Sequence, residues 1–327
     1  MRDVDDAYAL LHLLSDRQIH VVAVSTVFGN ANVEAVTKAT RALLKQAGHT
    51  GVPVYRGAKS PEDSNTTASR RMRAWLDAKS GTIVALGALT NVAAALRGRP
   101  DLQEYAVDEL VAVAGRRPGA SFAVGELGGG GLSDMNFEKD WEAFAEILRG
   151  FAKVVLTPFE LSKQVRFTAA DVATIGERRS WLAAVTAPWL DFWESEFGVD
   201  YFHPFDLLAS AYVLNEARVT DDLVCDEDAQ AWVVRAKSDA VTEKIAAHVE
   251  GDGAVHGIGA ASKMYLHVGD LKGAPVAATA KRSRNLVYCH GVADGVAAKL
   301  VHDVATPSSL RRDTITHHLP PGAPQEL

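Results

Sequence analysis

The chain has 327 residues, of which 47% are hydrophobic and 23% charged, a balance typical of a globular protein that can form one α/β domain. The net charge of −7 argues against nucleic acid as a partner, because phosphate binding calls for a basic face. No signal peptide is apparent and no apolar run of about 18 residues indicates a membrane span, so we expect no membrane partner.

Cys225 and Cys289 are the two cysteines of the sequence. Their number predicts neither a disulfide framework nor a thiolate metal site. This usage fits a reducing compartment, and we therefore expect a cytoplasmic protein.

The chain begins with a cluster of carboxylates, Asp3, Asp5 and Asp6, directly ahead of an apolar helical pattern. Like charges this close repel each other, and a fold keeps them together most easily around a hard cation such as Ca2+ or Mg2+. The alternative is that Asp5 and Asp6 only complement the dipole of the helix they begin. Three acidic residues in four positions exceed what a helix start needs, which favours the metal or ligand interpretation.

Short β-rich runs alternate with helical patterns over the first two thirds of the chain. One helix is capped by Asn32 and ended by Gly48, and another covers about 91–96. Strands that alternate with helices imply βαβ units, and so a mostly parallel central sheet with helices on both faces. The predicted strands are 19–24, 52–55, 82–86, 109–113 and 153–156.

The pattern changes in the last third of the chain. It predicts a tryptophan-rich helix, a second helix with an acidic first residue, two late strands and a closing helix, at 181–196, 206–215, 230–234, 285–288 and 292–301. No internal repeat or linker is visible, so we predict one domain over residues 1–305. The proline-rich remainder, 306–327, is expected to be a disordered tail.

Polar residues follow most of the predicted strands. In open parallel sheets ligands bind at the carboxyl ends of the strands, so these residues are candidates for a site. Each could equally be a helix cap, since capping uses the same residue types. The glycine run 128–131 lacks the Lys and Ser or Thr that end a phosphate-binding P-loop, and a flexible loop over a site is the preferred interpretation.

Several segments, taken together over roughly residues 2–214, resemble the inosine-uridine preferring nucleoside hydrolase family. One branch of that family begins with a strand ending Asp-Thr-Asp-x-Gly-x-Asp-Val-Asp-Asp-Ala, and this chain has Asp-Val-Asp-Asp-Ala at 3–7. Any one block is weak evidence, but five in the family's order are specific. The other four are Thr-Val-Phe-Gly-Asn (26–30), Val-Pro-Val-Tyr-Arg-Gly-Ala (52–58), Leu-Gly-Ala-Leu-Thr-Asn-Val-Ala (86–93) and Asp-Met-Asn-Phe-Glu-Lys-Asp (134–140).

The resemblance implies a single α/β domain and Ca2+-dependent hydrolysis of the N-glycosidic bond of ribonucleosides, giving ribose and a free base for salvage. By position in the family motifs, Asp6 and Asp206 would be calcium ligands, and the backbone carbonyl of Ala112 would complete the shell. Asp5 would bind ribose hydroxyls. Asp5 and Asp206 are the candidate catalytic residues.

The resemblance also implies the substrate contacts. Asn30 would lie near the ribose, while Asp134 and Asn136 would bind sugar hydroxyls, with Asp134 in place of the usual Glu. His203 is a loose substitute for the His that protonates purine leaving groups in some members. Because the family forms dimers or tetramers, we expect a homo-oligomer whose small-molecule partner is a nucleoside.

Three departures from the family pattern bear on activity. The opening Asp-x-Asp is absent, and its first Asp is a calcium ligand and the presumed general base, so we expect a truncated first strand with the family's start lying upstream. Phe205-Asp206 replaces the usual His-Asp pair. Ala114-Gly115-Arg116 replaces a Gly-Gly turn.

Two other functions are compatible with the sequence. The missing Asp predicts, as one alternative, a catalytically impaired or inactive relative that binds nucleoside or ribose without hydrolysis. The other is an aspartate-based phosphatase that uses Asp3-Val4-Asp5 as its nucleophile motif, although that motif needs a preceding strand.

Overall fold

The structure is a computed structural model and describes residues 3–78, 81–97, 107–116, 124, 134–150, 153–218, 220–226, 230–235, 264–269 and 285–307. Its first part contains α1 (Asp5–Ser15), β1 (Val24–Ser25), α2 (Val33–Gln46), β2 (Val54–Tyr55) and α3 (Thr67–Ala78). The middle contains β3 (Gly81–Ala85), α4 (Thr90–Leu96), β4 (Val107–Ala112), α5 (Met135–Lys139), α6 (Trp141–Gly150), β5 (Lys153–Leu156) and α7 (Phe159–Ser162).

The last third of the chain contributes further helices and the remaining strands. They are β6 (Phe167–Thr168), α8 (Ala169–Gly176), α9 (Ser180–Phe197), β7 (Tyr201–Phe202), α10 (Leu207–Arg218), β8 (Leu223–Asp226), β9 (Gln230–Arg235), β10 (Met264–Gly269), β11 (Asn285–Val292) and α12 (Val296–Ala305). Most of the late elements agree with the predicted ones. The closing helix begins four residues later than predicted, because β11 continues to Val292.

The central sheet has the strand order β3-β4-β5-β11-β8. The pairs β3–β4, β4–β5 and β5–β11 are parallel, and the edge strand β8 pairs antiparallel with β11. The predicted mostly parallel α/β fold is therefore confirmed. Separate two-stranded pairs are formed by β1 with β2, β6 with β7 and β9 with β10.

Both faces of the central sheet are buried, as in a doubly covered parallel sheet. In β4, Val111 belongs to one apolar cluster while Leu110 and Ala112 belong to the other. In β5, Val155 belongs to the first of these clusters and Val154 to the second. Since successive side chains of a strand point to opposite faces, the two clusters are the two faces of the sheet.

The predicted helix signals act locally as expected. Asn32 Oδ1 accepts a hydrogen bond from Ala35 N at 2.8 Å and so caps α2. Gly48 follows α2 with a φ of 82°, a left-handed conformation that favours glycine at a helix end. Both predictions are confirmed.

The predicted strand 19–24 is wrong in extent, since only Val24 and Ser25 are in strand geometry. Val22 is 44% exposed, so the apolar run is not buried on both sides. The backbone N–H of Val24 donates a hydrogen bond to Pro53 O at 2.9 Å, on the side that faces β2. An apolar run becomes an extended strand only where a neighbouring backbone pairs with it along its length, and pairing with β2 covers two residues.

The number of cysteines predicted no disulfide framework, and the structure contradicts this with one disulfide. Cys225 in β8 and Cys289 in β11 stand opposite each other in the antiparallel pair and form a disulfide. The two residues are 64 positions apart, and strand pairing brings them together. The cysteine count therefore no longer supports the expected reducing, cytoplasmic location.

Two predictions fall on other parts of the chain. The glycine run 128–131 lies outside the described residues, as does the predicted tail apart from Thr306 and Pro307. Among the helices that the structure describes, none combines the length and the apolar character that crossing a membrane would require.

Candidate active site

Three carboxylates converge at the start of two helices. Asp5 and Asp6 form the first turn of α1, and Asp206 immediately precedes α10. One oxygen from each lies within 4.8 Å of the others. Asp5 and Asp206 are 5% and 4% exposed, whereas Asp6 is exposed and opens the cluster to solvent. The structure thus brings together residues from distant parts of the sequence in an arrangement that could hold a cation.

The backbone of both helices supports this acidic cluster. Asp5 Oδ1 accepts a hydrogen bond from Asp6 N at 3.2 Å, and Asp5 Oδ2 accepts one from Asp206 N at 3.4 Å. No side chain caps α1 at Val4, so its first turn relies on these carboxylates. The positive ends of two helix dipoles face the cluster and offset part of its charge. The helix-start interpretation of Asp5 therefore holds in part.

Burial and mutual repulsion nevertheless make the charged forms of these carboxylates unfavourable. Burial, and then the charges of neighbouring carboxylates, raise the pKa of Asp5 and of Asp206 well above the usual value. The pKa of Asp6 rises to about 7. The largest cause is loss of water around the carboxylate within the cluster, even though the residue as a whole is exposed, and the charge of Asp3 adds to it. A divalent cation bound among these oxygens would relieve the repulsion, so the donor set fits a hard metal ion.

Asp3 and Asn30 extend the cluster. Asn30 Nδ2 donates to Asp3 Oδ2 at 3.0 Å, while Asp3 Oδ1 is buried with no hydrogen-bond partner among the described residues. This buried oxygen is a further acceptor for a cation or a hydroxyl group. Asn30, which the resemblance placed near the ribose, is thus beside the acidic cluster.

Asp134 and Asn136 lie where β3 and β4 end. Asp134 caps α5, accepting from Phe137 N at 3.2 Å, and its other oxygen accepts from Gly115 N at 2.7 Å. Burial raises its pKa to about 6. Asn136 Nδ2 donates to the carbonyls of Leu86 and Val113, each at 3.0 Å. The capping alternative describes Asp134 in this structure, and the sugar contacts of both residues remain predictions.

Ala112, the third predicted ligand position, is part of the sheet. Its carbonyl oxygen accepts a hydrogen bond from Thr157 N at 3.0 Å. Thr157 Oγ1 also donates to this oxygen, at 3.5 Å, so a cation bound there would replace the longer of two hydrogen bonds. Its role as a metal ligand also stays a prediction.

His203 is buried and packs against aromatic side chains. It is 4% exposed, and its ring lies 5.6 Å from that of Trp193 and 5.2 Å from that of Tyr201. Its Nδ1 is 2.7 Å from the carbonyl of Val165, which can only accept, so Nδ1 carries the proton. Burial lowers the pKa of His203, which favours a neutral ring without a proton on Nε2. This geometry argues against His203 as a proton donor to a leaving base.

Asn91 has a positioning role that its sequence context did not predict. Its Oδ1 accepts from Ala58 N at 2.9 Å and its Nδ2 donates to Thr26 O at 2.8 Å. This buried side chain therefore ties the segment that leads to Asn30 to the start of α4. The signal was available in the Leu-Thr-Asn block, but a helix-start residue there is more often a cap.

Comparisons with known proteins show the family to which the chain belongs. The family model described as "Inosine-uridine preferring nucleoside hydrolase" matches residues 2–285. The chain is 25% identical over 255 residues to the inosine-uridine preferring nucleoside hydrolase of Leishmania major. The aligned region covers 68% of this chain and 79% of that protein. The chain is 23% identical over 203 residues to uridine nucleosidase 1 of Arabidopsis thaliana, covering 53% and 58%.

Solved structures show the same fold. A plant nucleoside hydrolase, PpNRh1, superposes with a TM-score of 0.71 at 18% identity and covers 93% of this chain and 96% of its own. The purine-preferring ribonucleoside hydrolase of Gardnerella vaginalis gives 0.68 at 16% identity, covering 92% and 95%. Since the family model spans most of the sequence, the chain belongs to the inosine-uridine preferring nucleoside hydrolase family, enzymes that hydrolyse the N-glycosidic bond of ribonucleosides.

Proposed function

We propose that this chain hydrolyses ribonucleosides to ribose and a free base with Ca2+ bound by Asp6, Asp206 and the carbonyl of Ala112. The observation that carries the proposal is the convergence of Asp5, Asp6 and Asp206 within 4.8 Å. The family is generally metal-dependent. Carboxylate and carbonyl oxygens are the ligands that Ca2+ prefers. When bound, the ion would orient the ribose 2′- and 3′-hydroxyls and lower the pKa of a water molecule.

The side chains of the cluster have separate roles in this reaction. As the bond between C1′ and the base nitrogen breaks, positive charge develops on the sugar, and the surrounding carboxylates stabilise it. Asp5 accepts hydrogen bonds from the ribose hydroxyls. Water adds to C1′ and gives up a proton, and the carboxylates of Asp5 and Asp206, which lie beside the proposed ion, are the candidate acceptors.

The remaining sugar contacts are proposed from position. Asn30 lies beside Asp3, and Asp134 and Asn136 lie at the carboxyl ends of the parallel strands, where ligands bind in such sheets. By resemblance to the family we also propose a homo-oligomer, a dimer or tetramer. Light scattering on the purified chain tests that assembly.

A second candidate is a nucleoside-binding protein that does not hydrolyse its ligand. It is favoured by the geometry of His203, whose Nδ1 proton is engaged by Val165 O, and by Phe205, which cannot donate a proton. This candidate predicts saturable nucleoside binding without release of base.

A base-release assay with inosine, uridine and cytidine distinguishes the two candidates. We expect release in Ca2+ and none in a chelator. A version with an added strand and Asp-Thr-Asp segment ahead of Asp3 is expected to be more active, because it supplies the family's general base. If the extended version also releases no base and binds no Ca2+, the hydrolase proposal fails. Binding without release in both versions supports the second candidate.

A further inference from the structure

A buried polar contact joins the two helices that carry the acidic cluster. His12 on α1 is 1% exposed, and its Nδ1 lies 2.9 Å from Oγ of Ser210 on α10. Its Nε2 lies 3.4 Å from Asp303 Oδ2 on α12. A histidine between a serine and an aspartate could suggest a nucleophile, but Ser210 is 0% exposed and no substrate reaches it. The contact therefore needs another explanation.

The direction of the hydrogen bonds follows from the chemistry of Ser210. Its Oγ donates its single hydrogen to Leu207 O at 2.7 Å. Toward His12 it can then only accept, so Nδ1 donates to it. Two helices are thus tied at two levels, by Asp206 N to Asp5 Oδ2 at 3.4 Å and, further along, by His12 to Ser210.

The packing around this contact is apolar. Tyr8 and Leu11 of α1 lie in the same buried cluster as Leu207, Leu208 and Ala211 of α10. Apolar burial is non-directional and does not by itself set how far one helix slides along the other. A slide of one residue moves a helix by about 1.5 Å, while metal–oxygen distances tolerate about 0.2 Å. The bond at the cluster itself is long, at 3.4 Å, so the shorter, directional hydrogen bond from His12 to Ser210 is well placed to keep ligands on both helices in register.

We infer that the hydrogen bond from His12 to Ser210 positions Asp5 and Asp6 against Asp206, and that this contact, rather than the one from His12 to Asp303, sets the affinity of the cluster for a divalent cation. His12 is a positioning residue in this account, since it touches neither ligand nor substrate. The inference rests on the cation site of the proposed function.

Two substitutions of His12 separate its two contacts. His12→Asn places an amide nitrogen near the position of Nδ1 and keeps the bond to Ser210, while His12→Gln places one near the position of Nε2 and keeps the bond to Asp303. Ser210→Ala and Asp303→Asn alter the same contacts from the other side. Affinity is measured by calorimetric titration of each folded chain with Ca2+ alone, so that loss of stability does not enter the result.

Removing the bond to Ser210 should weaken Ca2+ binding about tenfold, the lower end for residues that orient ligands. We expect this loss in His12→Gln and Ser210→Ala, and a change below about twofold in His12→Asn and Asp303→Asn. Tyr8→Phe is the matched control, because it removes a buried hydrogen bond of 2.7 Å from the same helix to Thr186 on α9, which carries no ligand. It should lower the melting temperature and leave Ca2+ affinity unchanged.

The outcomes keep this inference apart from the proposed function. A wild-type chain that binds no Ca2+ overturns the cation site and the inference with it. A wild-type chain that binds Ca2+, with His12→Gln equal to His12→Asn, overturns the inference alone. If Tyr8→Phe weakens Ca2+ binding as much as His12→Gln does, the inference also fails, because loss of any buried hydrogen bond on α1 would then lower the affinity. If Ser210→Ala does not fold, the two His12 variants still decide.

Discussion

Single carboxylates of the acidic cluster are held in surroundings that make their charged form unfavourable. Asp5 and Asp206 are buried beside other carboxylates, and their raised pKa values measure the cost of holding charge there. Such strain persists at functional sites because the rest of the fold supports it. A substitution that removes charge from the cluster should therefore separate activity from stability.

Asp206→Asn is expected to abolish Ca2+ binding and lower the rate of base release by at least about 100-fold. The same change should raise the melting temperature of the metal-free chain, because it removes a buried negative charge from beside two others. Asp191→Asn, an exposed acidic residue of α9, is the control and should change neither quantity. A lower melting temperature for metal-free Asp206→Asn would assign that residue a structural role instead.

The stability of the metal-free chain should depend on pH with a defined sign. The pKa values of Asp6, about 7, and Asp134, about 6, lie above the unfolded value, as do those of Asp5 and Asp206. The folded state then binds more protons, so stability falls as pH rises from about 4 to about 7. The lowered pKa values of His203 and His49, caused by burial, and of the exposed Glu34 and Glu62, caused by side-chain hydrogen bonds, act in the opposite direction. The shifts of the four carboxylates are larger and set the sign.

Calorimetric melting in a chelator and in saturating Ca2+ checks this dependence. We expect the melting temperature to fall by several degrees across that range in the chelator, and to fall much less in Ca2+, which favours the ionised carboxylates. If the melting temperature of the metal-free chain rises steadily with pH, the clustered carboxylates do not destabilise the folded state as they ionise, and the prediction is wrong.

Among the single residues, the sequence alone indicated two of the three clustered carboxylates. Asp5 and Asp6 are adjacent in the sequence, and their crowding was visible without a structure. Asp206 was assigned by resemblance, since nothing local to Phe205-Asp206 distinguishes a ligand from a helix start. Cluster geometry depends on how two helices pack, and one sequence does not report that packing directly.

Among the elements, the segment leading to Asn30 depends on close packing against α4. Gly57 stands where an added Cβ would overlap the carbonyl oxygen of Thr26 and the side chain of Asn91. The hydrogen bonds of Asn91 to both neighbours require this close approach. The position therefore needs glycine for space, not for a special backbone angle.

Gly57→Ala should lower the free energy of unfolding by roughly 3 kcal/mol, as overpacking of a close contact does. It should also raise KM for nucleoside, because the displaced segment carries Asn30. Gly51→Ala is the matched control, since a Cβ there meets no atom within 4 Å. Chemical denaturation and steady-state kinetics measure the two effects, and a Gly57→Ala chain as stable as Gly51→Ala would contradict the packing argument.

The predicted elements were most accurate where pattern and pairing coincide. The run 82–86 became β3 because β4 pairs along its length, and the tryptophan-rich run became α9. The run 19–24 shares the apolar pattern, yet its strand is limited to Val24 and Ser25. Local composition expresses a tendency to be extended, while strand formation also requires a partner that the pattern does not contain.

Across the whole molecule, the disulfide between Cys225 and Cys289 is the covalent feature that cysteine counting missed. It joins the edge strand β8 to β11 and closes a span of 64 positions. Cys289 is 0% exposed and lies in the larger apolar cluster. The bond therefore holds the edge of the sheet to its core.

Reduction of this bond should lower the free energy of unfolding by about 4 kcal/mol, the loop-entropy value for a span of this length. Denaturant titrations with and without reductant measure the change. The double variant Cys225→Ala/Cys289→Ala should be insensitive to reductant, which excludes an effect of the reagent itself. An unchanged midpoint for the wild-type chain in reductant would contradict the prediction.

Asp5 and Asp206 are 201 residues apart in the chain, and they meet only after α10 has packed against α1. A chain that is still folding therefore lacks the complete ligand set until this late, long-range contact has formed. On the proposed cation site, Ca2+ would act on the rate of unfolding and leave the rate of folding almost unchanged. Chelation would then shorten the lifetime of the folded enzyme without slowing its formation.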